Sequence, residues 1–112
     1  MIVRSAYLEG TVAPADRAEF DAHMNGPVMA AIASYPGLRE VSLRTLAQAD
    51  EGAPQIYMVF DLYFNSLQDM EAALASATRQ AVRQTIAQGM RLFQGRVYHL
   101  VFSQGLTIQP AR

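Results

Sequence analysis

The order of apolar spacings along this 112-residue chain predicts an α+β fold of the ferredoxin-like βαββαβ kind, a four-stranded antiparallel sheet with its helices on one face. Three observations predict it. Apolar residues switch between a two-residue and a four-residue step in the order strand, helix, strand, strand, helix, strand. The length suits a single domain of roughly 100–150 residues, here residues 1–112. Hydrophobic residues make up 51% and charged residues only 17%, against a usual charged share of roughly 25%. The chain is therefore not disordered and has enough apolar surface to cover a core and a partner.

Residues 2–9 (IVRSAYLE), rich in β-branched and aromatic side chains, predict the first strand. Gly10 to Pro14 reads as a turn. From Ala15 the step changes, and Phe20, Met24, Val28 and Ile32 form one stripe of a helix, with Asp16, Arg17, Glu19 and Asp21 on the wet side. Pro27 has no backbone N–H, so the helix is expected to kink or restart near Asn25-Gly26 and to end at Tyr35-Pro36-Gly37. Residues 38–47 alternate as strand two, and 48–54 form a polar loop.

Residues 55–64 (QIYMVFDLYF) carry the strongest strand pattern. Ile56, Met58, Phe60, Leu62 and Phe64 point one way; Tyr57, Val59, Asp61 and Tyr63 point the other. Ser66 is placed to cap a helix running to about residue 88, with a break at Ser76-Ala77-Thr78. Gly89 to Gly95 reads as a loop, 96–103 as strand four, and 104–112 as a loose tail. Helices on one side leave the other sheet face open, and both faces of strand three are too apolar for water. A second copy across a two-fold axis is the expected cover.

Nine basic residues, all Arg, against ten acidic ones leave a net charge of −1. Without a basic excess to neutralise phosphates, no nucleic-acid partner is expected. No apolar run reaches the ~20 residues of a membrane span, and no leader precedes the first strand, so the expected location is the cytoplasm. The absence of Lys and Cys excludes Schiff-base and thiolate chemistry. The seven glycines are isolated, and HExxH and GxSxG are missing, so neither a cofactor nor a metal is expected.

What remains as candidate chemistry is sparse. His23, on the margin of the first helix beside Phe20 and Met24, is a candidate acid/base at the rim of a helix–sheet pocket. His99 lies in strand four and is a candidate ligand contact. Asp61 is the one carboxylate on the aromatic face. It could share a site with Tyr57, Tyr63 or His99, or be neutralised by Arg4, Arg44 or Arg96.

Ala18-Glu19-Phe20-Asp21-Ala22-His23, then Tyr35-Pro36-Gly37-Leu38-Arg39, and the segment from Ser66-Leu67 to Leu74-Ala75-Ser76 resemble the EthD family, small proteins linked to ethyl tert-butyl ether degradation. The likeness spans about residues 2–103. It implies a homodimeric α+β barrel, related in architecture to cofactor-independent monooxygenases and muconolactone isomerases. Only His23 carries over from the family's histidines, because Pro27 stands where many relatives have a second one.

Two functions follow as expectations. One is a protein that takes a small, largely apolar metabolite into a helix–sheet pocket, as accessory to or enzyme of a catabolic pathway, with proton transfer or oxygenation needing no cofactor. The other is a non-catalytic homodimeric binding or scaffold module. In the first, His23 and Asp61 are the catalytic candidates, and Tyr57, Tyr63, Phe20, Met24 and His99 contact the ligand.

Overall fold

The structure, a computed structural model, describes residues 1–111. Four strands, β1 (Ile2–Val12), β2 (Leu38–Thr45), β3 (Ile56–Phe64) and β4 (Phe93–Ser103), form one antiparallel sheet in the order β2-β3-β1-β4. Helices α1 (Arg17–His23) and α2 (Met29–Ala33) cross between β1 and β2, and α3 (Leu67–Leu74) and α4 (Thr78–Met90) between β3 and β4. This is the ferredoxin-like arrangement, with the two central strands β1 and β3 brought together by their helical crossovers.

The four-residue stripe is the helical half of the core. Phe20, Met24, Val28 and Ile32 are buried against Leu8, Met58, Phe60, Leu62 and Phe64 of the sheet. Of the kink or restart expected near Asn25-Gly26, the structure has an irregular turn at that place but no restart. Met24–Val28 form one π-helical turn with Pro27 inside it, and the residues flanking that turn keep helical dihedrals, so 17–33 is a continuous helical rod. A wider turn accommodates a residue that lacks an N–H and would crowd the preceding turn of an α-helix. Ser66 caps α3 by accepting from the Asp69 N–H at 3.1 Å. The break falls at Ala75–Ala77, where Ser76 Oγ donates to the Ala73 carbonyl.

The expected turn at Gly10 and loop at 89–95 give way to structure. The β1–β4 ladder runs on through Gly10↔Gly95 to Val12↔Phe93, and α4 reaches Met90. Gly10 and Gly95 face each other at φ +156° and +151°, and a Cβ on either would lie 2.1 Å from a carbonyl oxygen of the opposite strand. The two glycines therefore mark a close approach of backbones, not a chain reversal. Their effect is to carry Phe93 onto Phe20, ring centroids 5.8 Å apart.

A bulge corrects the face assigned to Tyr57. Leu8 pairs with Met58 but Glu9 with Ile56, so Tyr57 is skipped in the register. An extra residue breaks the alternation of faces. Tyr57 consequently leaves the face of Val59, Asp61 and Tyr63 and packs edge-on against Phe20 and Phe93.

Candidate functional site

Two concave regions lie on opposite faces of the sheet. The first, about 290 Å³, lies between helices and sheet and is partly open to water. Its position follows from alternation: Arg4, Ala6 and Leu8 of β1, Phe60 and Leu62 of β3, and Val97 and His99 of β4 all point to the helices. Met24 and Ile32 of the first rod and Val82, Ile86 and Met90 of α4 form the roof. The walls are mainly apolar, but Arg4, Tyr35, Arg79, Arg83 and His99 also line it. This volume lies near the lower end of the roughly 300–1,000 Å³ typical of ligand pockets.

The polar groups of this cavity are close enough to perturb one another. Arg79 Nη1 donates to Tyr35 Oη at 3.4 Å. Burial, then the positive charge of Arg79, hold the Arg4 guanidinium below its ordinary pKa; Arg83 adds to the effect and Tyr35 opposes it. His99 is on an edge strand and keeps part of its surface in water. Even so, desolvation, followed by the charges of Arg4 and Arg79, lowers its pKa to about 4. Its imidazole is therefore neutral at neutral pH.

The second region is a shallow cup on the open face, lined by Val3, Ser5, Tyr7, Ser42, Arg44, Asp61, Tyr63 and Phe102. Asp61 is buried here and fully occupied. Ser5 Oγ donates to its Oδ1 at 2.6 Å, and Arg44 forms a two-pronged contact, Nε to Oδ2 at 2.6 Å and Nη2 to Oδ1 at 3.1 Å. The hydrogen bond to Asp61 raises the Arg44 pKa against a smaller cost of burial. Beside the cup Tyr7 stacks on its cross-strand partner Tyr98, centroids 5.3 Å apart, and Arg96 lies 5.0 Å from the Tyr98 ring centre.

The residues singled out in the sequence are thus divided. Met24 and His99 line the helix-side cavity, whereas Asp61 and Tyr63 line the open-face cup. Asp61 and His99 cannot meet within one chain: Ser5 pairs with both Asp61 and Leu100, so Leu100 shares the carboxylate's face and His99 has the other. Phe20 is wholly buried in the aromatic cluster. Tyr57 donates to Asp21 Oδ1 at 2.7 Å, and burial, then that hydrogen bond, push its pKa up to about 12.

His23 lines neither cavity. Its Nε2 donates to the Thr85 carbonyl at 2.6 Å, which fixes the proton on that nitrogen because a carbonyl can only accept. The ring lies close enough to α4 that a Cβ on Gly89 would come within 2.6 Å of His23 Cδ2 and 2.7 Å of Met24 Cε. Gly89 is what lets the first helical rod lie this close to α4.

Sequence reasoning missed the arginines of the cavity. The signal was present: Arg4 shares the alternation of Ala6 and buried Leu8, and Arg79 and Arg83 are one helical turn apart, in step with Val82 and Ile86. Among the described residues, no group of three His, Asp or Glu side chains is arranged to hold a metal ion, and no helix is long and apolar enough to cross a membrane.

No family model and no curated protein matches the sequence. Solved structures do match in fold. An EthD family protein from Bacillus halodurans superposes with a TM-score of 0.73 at 17% identity, covering 94% of this chain and all of that one. SnoaB, a cofactor-independent oxygenase from Streptomyces nogalater, matches with a TM-score of 0.64 at 18% identity over 97% of each chain. A dimeric protein of ferredoxin-like fold from Bacteroides fragilis gives 0.65 at 10% identity, over 92% of this chain and 95% of that one. The chain therefore has the ferredoxin-like α+β architecture that EthD proteins share with oxygenases of this type.

Proposed function

We propose that this protein is a homodimer whose helix-side cavity takes a small, largely apolar organic molecule and presents it for cofactor-free proton transfer in a degradative or biosynthetic pathway. The 290 Å³ cavity between helices and sheet, partly open to water, with a neutral imidazole in its wall carries this reading. Its size suits a molecule of one or two rings. In this reading His99, which lines the cavity, accepts a proton from a seated ligand, and oxygenation would follow where the resulting anion is electron-rich enough to react with dioxygen. The likeness in fold to a cofactor-independent oxygenase supports the same chemistry. His23 and Asp61 act in support, His23 by fastening the first rod to α4 and Asp61 by tying Ser5 of β1 to Arg44 of β2.

The dimer is supported by what the isolated chain leaves uncovered. Leu100 and Phe102 on the open face of β4 are 46% and 45% exposed, and Leu106 and Ile108 in the tail are 88% and 74% exposed. Such a surface marks a protein interface, and sedimentation equilibrium at micromolar concentration should give twice 12.3 kDa.

Fluorescence titration with 2-naphthol tests the cavity. Wild type should bind it, and Ala6→Phe, which puts a ring into the cavity from the central strand, should weaken binding by about tenfold or more, in line with lost burial of a small aromatic surface. Binding that ignores Ala6→Phe would remove the cavity from the argument.

A further inference from the structure

The cavity reading leaves an electrostatic problem that the ligand itself can solve. Arg4, Arg79 and Arg83 line one largely apolar space, and no carboxylate lines it with them. Among the described residues, the acidic partners of arginines are elsewhere: Asp61 with Arg44, Glu19 with Arg91, and Glu9 with Arg96. Each placement is adverse for the empty protein. Arg79 and Arg83 are like charges at an i,i+4 spacing, which destabilises a helix. Arg79 also sits in the first turn of α4, a turn that holds no acidic residue, where the helix dipole disfavours a cation. Arg4 is partly desolvated on the central strand, and a buried cation without a partner is costly.

We propose that the ligand of this cavity is an organic anion, an apolar one- or two-ring body bearing a carboxylate, with the carboxylate seated among Arg4, Arg79 and Arg83. The guanidinium fork matches a carboxylate with two parallel N–H···O bonds. The Tyr35 hydroxyl, already held by Arg79, offers a further donor. Bound there, the anion offsets the positive charges that depress His99. The imidazole then becomes a stronger base only when a ligand is in place. This inference rests on the cavity being the binding site.

The test compares 2-naphthoate with its neutral isostere 2-naphthamide on the full chain, by calorimetry and by NMR titration of the two histidines. 2-Naphthoate should bind at least about tenfold more tightly, with an affinity that falls as salt is added, as expected for charge-assisted contacts. His99 should titrate at higher pH in the 2-naphthoate complex and not in the 2-naphthamide complex. Arg79→Met and Arg83→Met, confirmed folded by circular dichroism, should each lose about tenfold in 2-naphthoate affinity and leave 2-naphthamide binding alone. Equal binding of the two probes, or 2-naphthoate binding untouched by both substitutions, overturns the anion assignment while the cavity stands. Failure of both probes to bind overturns the cavity reading and this inference with it.

Discussion

The two faces of the sheet handle charge in opposite ways. On the open face Asp61, Ser5 and Arg44 satisfy one another completely: every oxygen of a buried carboxylate has a donor, and the guanidinium reaches out to water. On the helix face Arg4, Arg79 and Arg83 converge on an apolar space without an anion, and His99 is kept neutral beside them. A closed polar network specifies packing and has no capacity left for a ligand. An open one of a single sign has lost stability in the empty protein and can recover it only from outside. The contrast separates polar residues that complete one another from polar residues left open to a ligand more sharply than residue type does, since both faces use arginine.

The largest expected effect comes from breaking the closed side. Arg44→Met would leave Asp61 buried and charged with only Ser5 as donor. Removing one partner of a buried pair costs about 3–5 kcal/mol. Arg44 is 59% exposed while Asp61 is 5% exposed, so water can enter where the guanidinium was, and a loss of about 2–3 kcal/mol is expected. Chemical denaturation at neutral pH measures it. A loss below about half a kcal/mol, the range of an ordinary surface ion pair, would show that the network is ornamental and would erase the contrast.

How far the sequence revealed this arrangement depended on the kind of signal. The four-residue step through Phe20, Met24, Val28 and Ile32 and the two-residue step of 56–64 are set by burial, which is periodic, and so the element order was legible. Features that depend on a second segment were not. Gly10 and Gly95 look like turn residues one at a time, and only their pairing across β1 and β4 shows a strand crossing. Tyr57 lost its expected face to a bulge that the alternation of its own strand does not show. His23 has the right neighbours for a cavity rim, but the Thr85 carbonyl, 62 residues on, accepts the hydrogen bond from its Nε2–H. The arginines were legible in principle, because Arg4 obeys the same alternation as Leu8. A charged residue on a core face is a functional signal when no acid accompanies it.

A middle-sized effect distinguishes the faces by pH. In the folded chain His99 titrates at about 4, below the ordinary 6.5. Between these values the unfolded chain takes up a proton that the folded chain refuses, so stability is complete above about pH 6.5, falls as pH drops towards 4, and changes no further from this group below that. Because His99 keeps part of its surface in water, the contribution is discounted to on the order of 1 kcal/mol. His99→Gln should flatten the stability profile between pH 6.5 and 4 relative to wild type, read as the difference of two denaturation series so that the carboxylates cancel. An unchanged slope would mean that neither burial nor the charges of Arg4 and Arg79 lower the pKa of the imidazole.

The smallest expected effect is the most telling, because its sign is unusual. Most substitutions destabilise, but Arg83→Met on the helix face should leave the empty protein as stable as before or slightly more so. Arg83 is exposed, it has no ion-pair partner among the described residues, and it stands one turn from Arg79. Removing one member of a like-charge i,i+4 pair recovers about 0.2–0.5 kcal/mol. Methionine keeps most of the aliphatic length that covers the cavity wall and costs little helix propensity. The gain should shrink as salt is raised, since screening already weakens the repulsion in wild type. Midpoints of urea denaturation at low and high ionic strength, with the slopes equal, resolve a change of this size. A loss of more than about 1 kcal/mol would make Arg83 a structural residue like Arg44, and the two faces would no longer differ in kind.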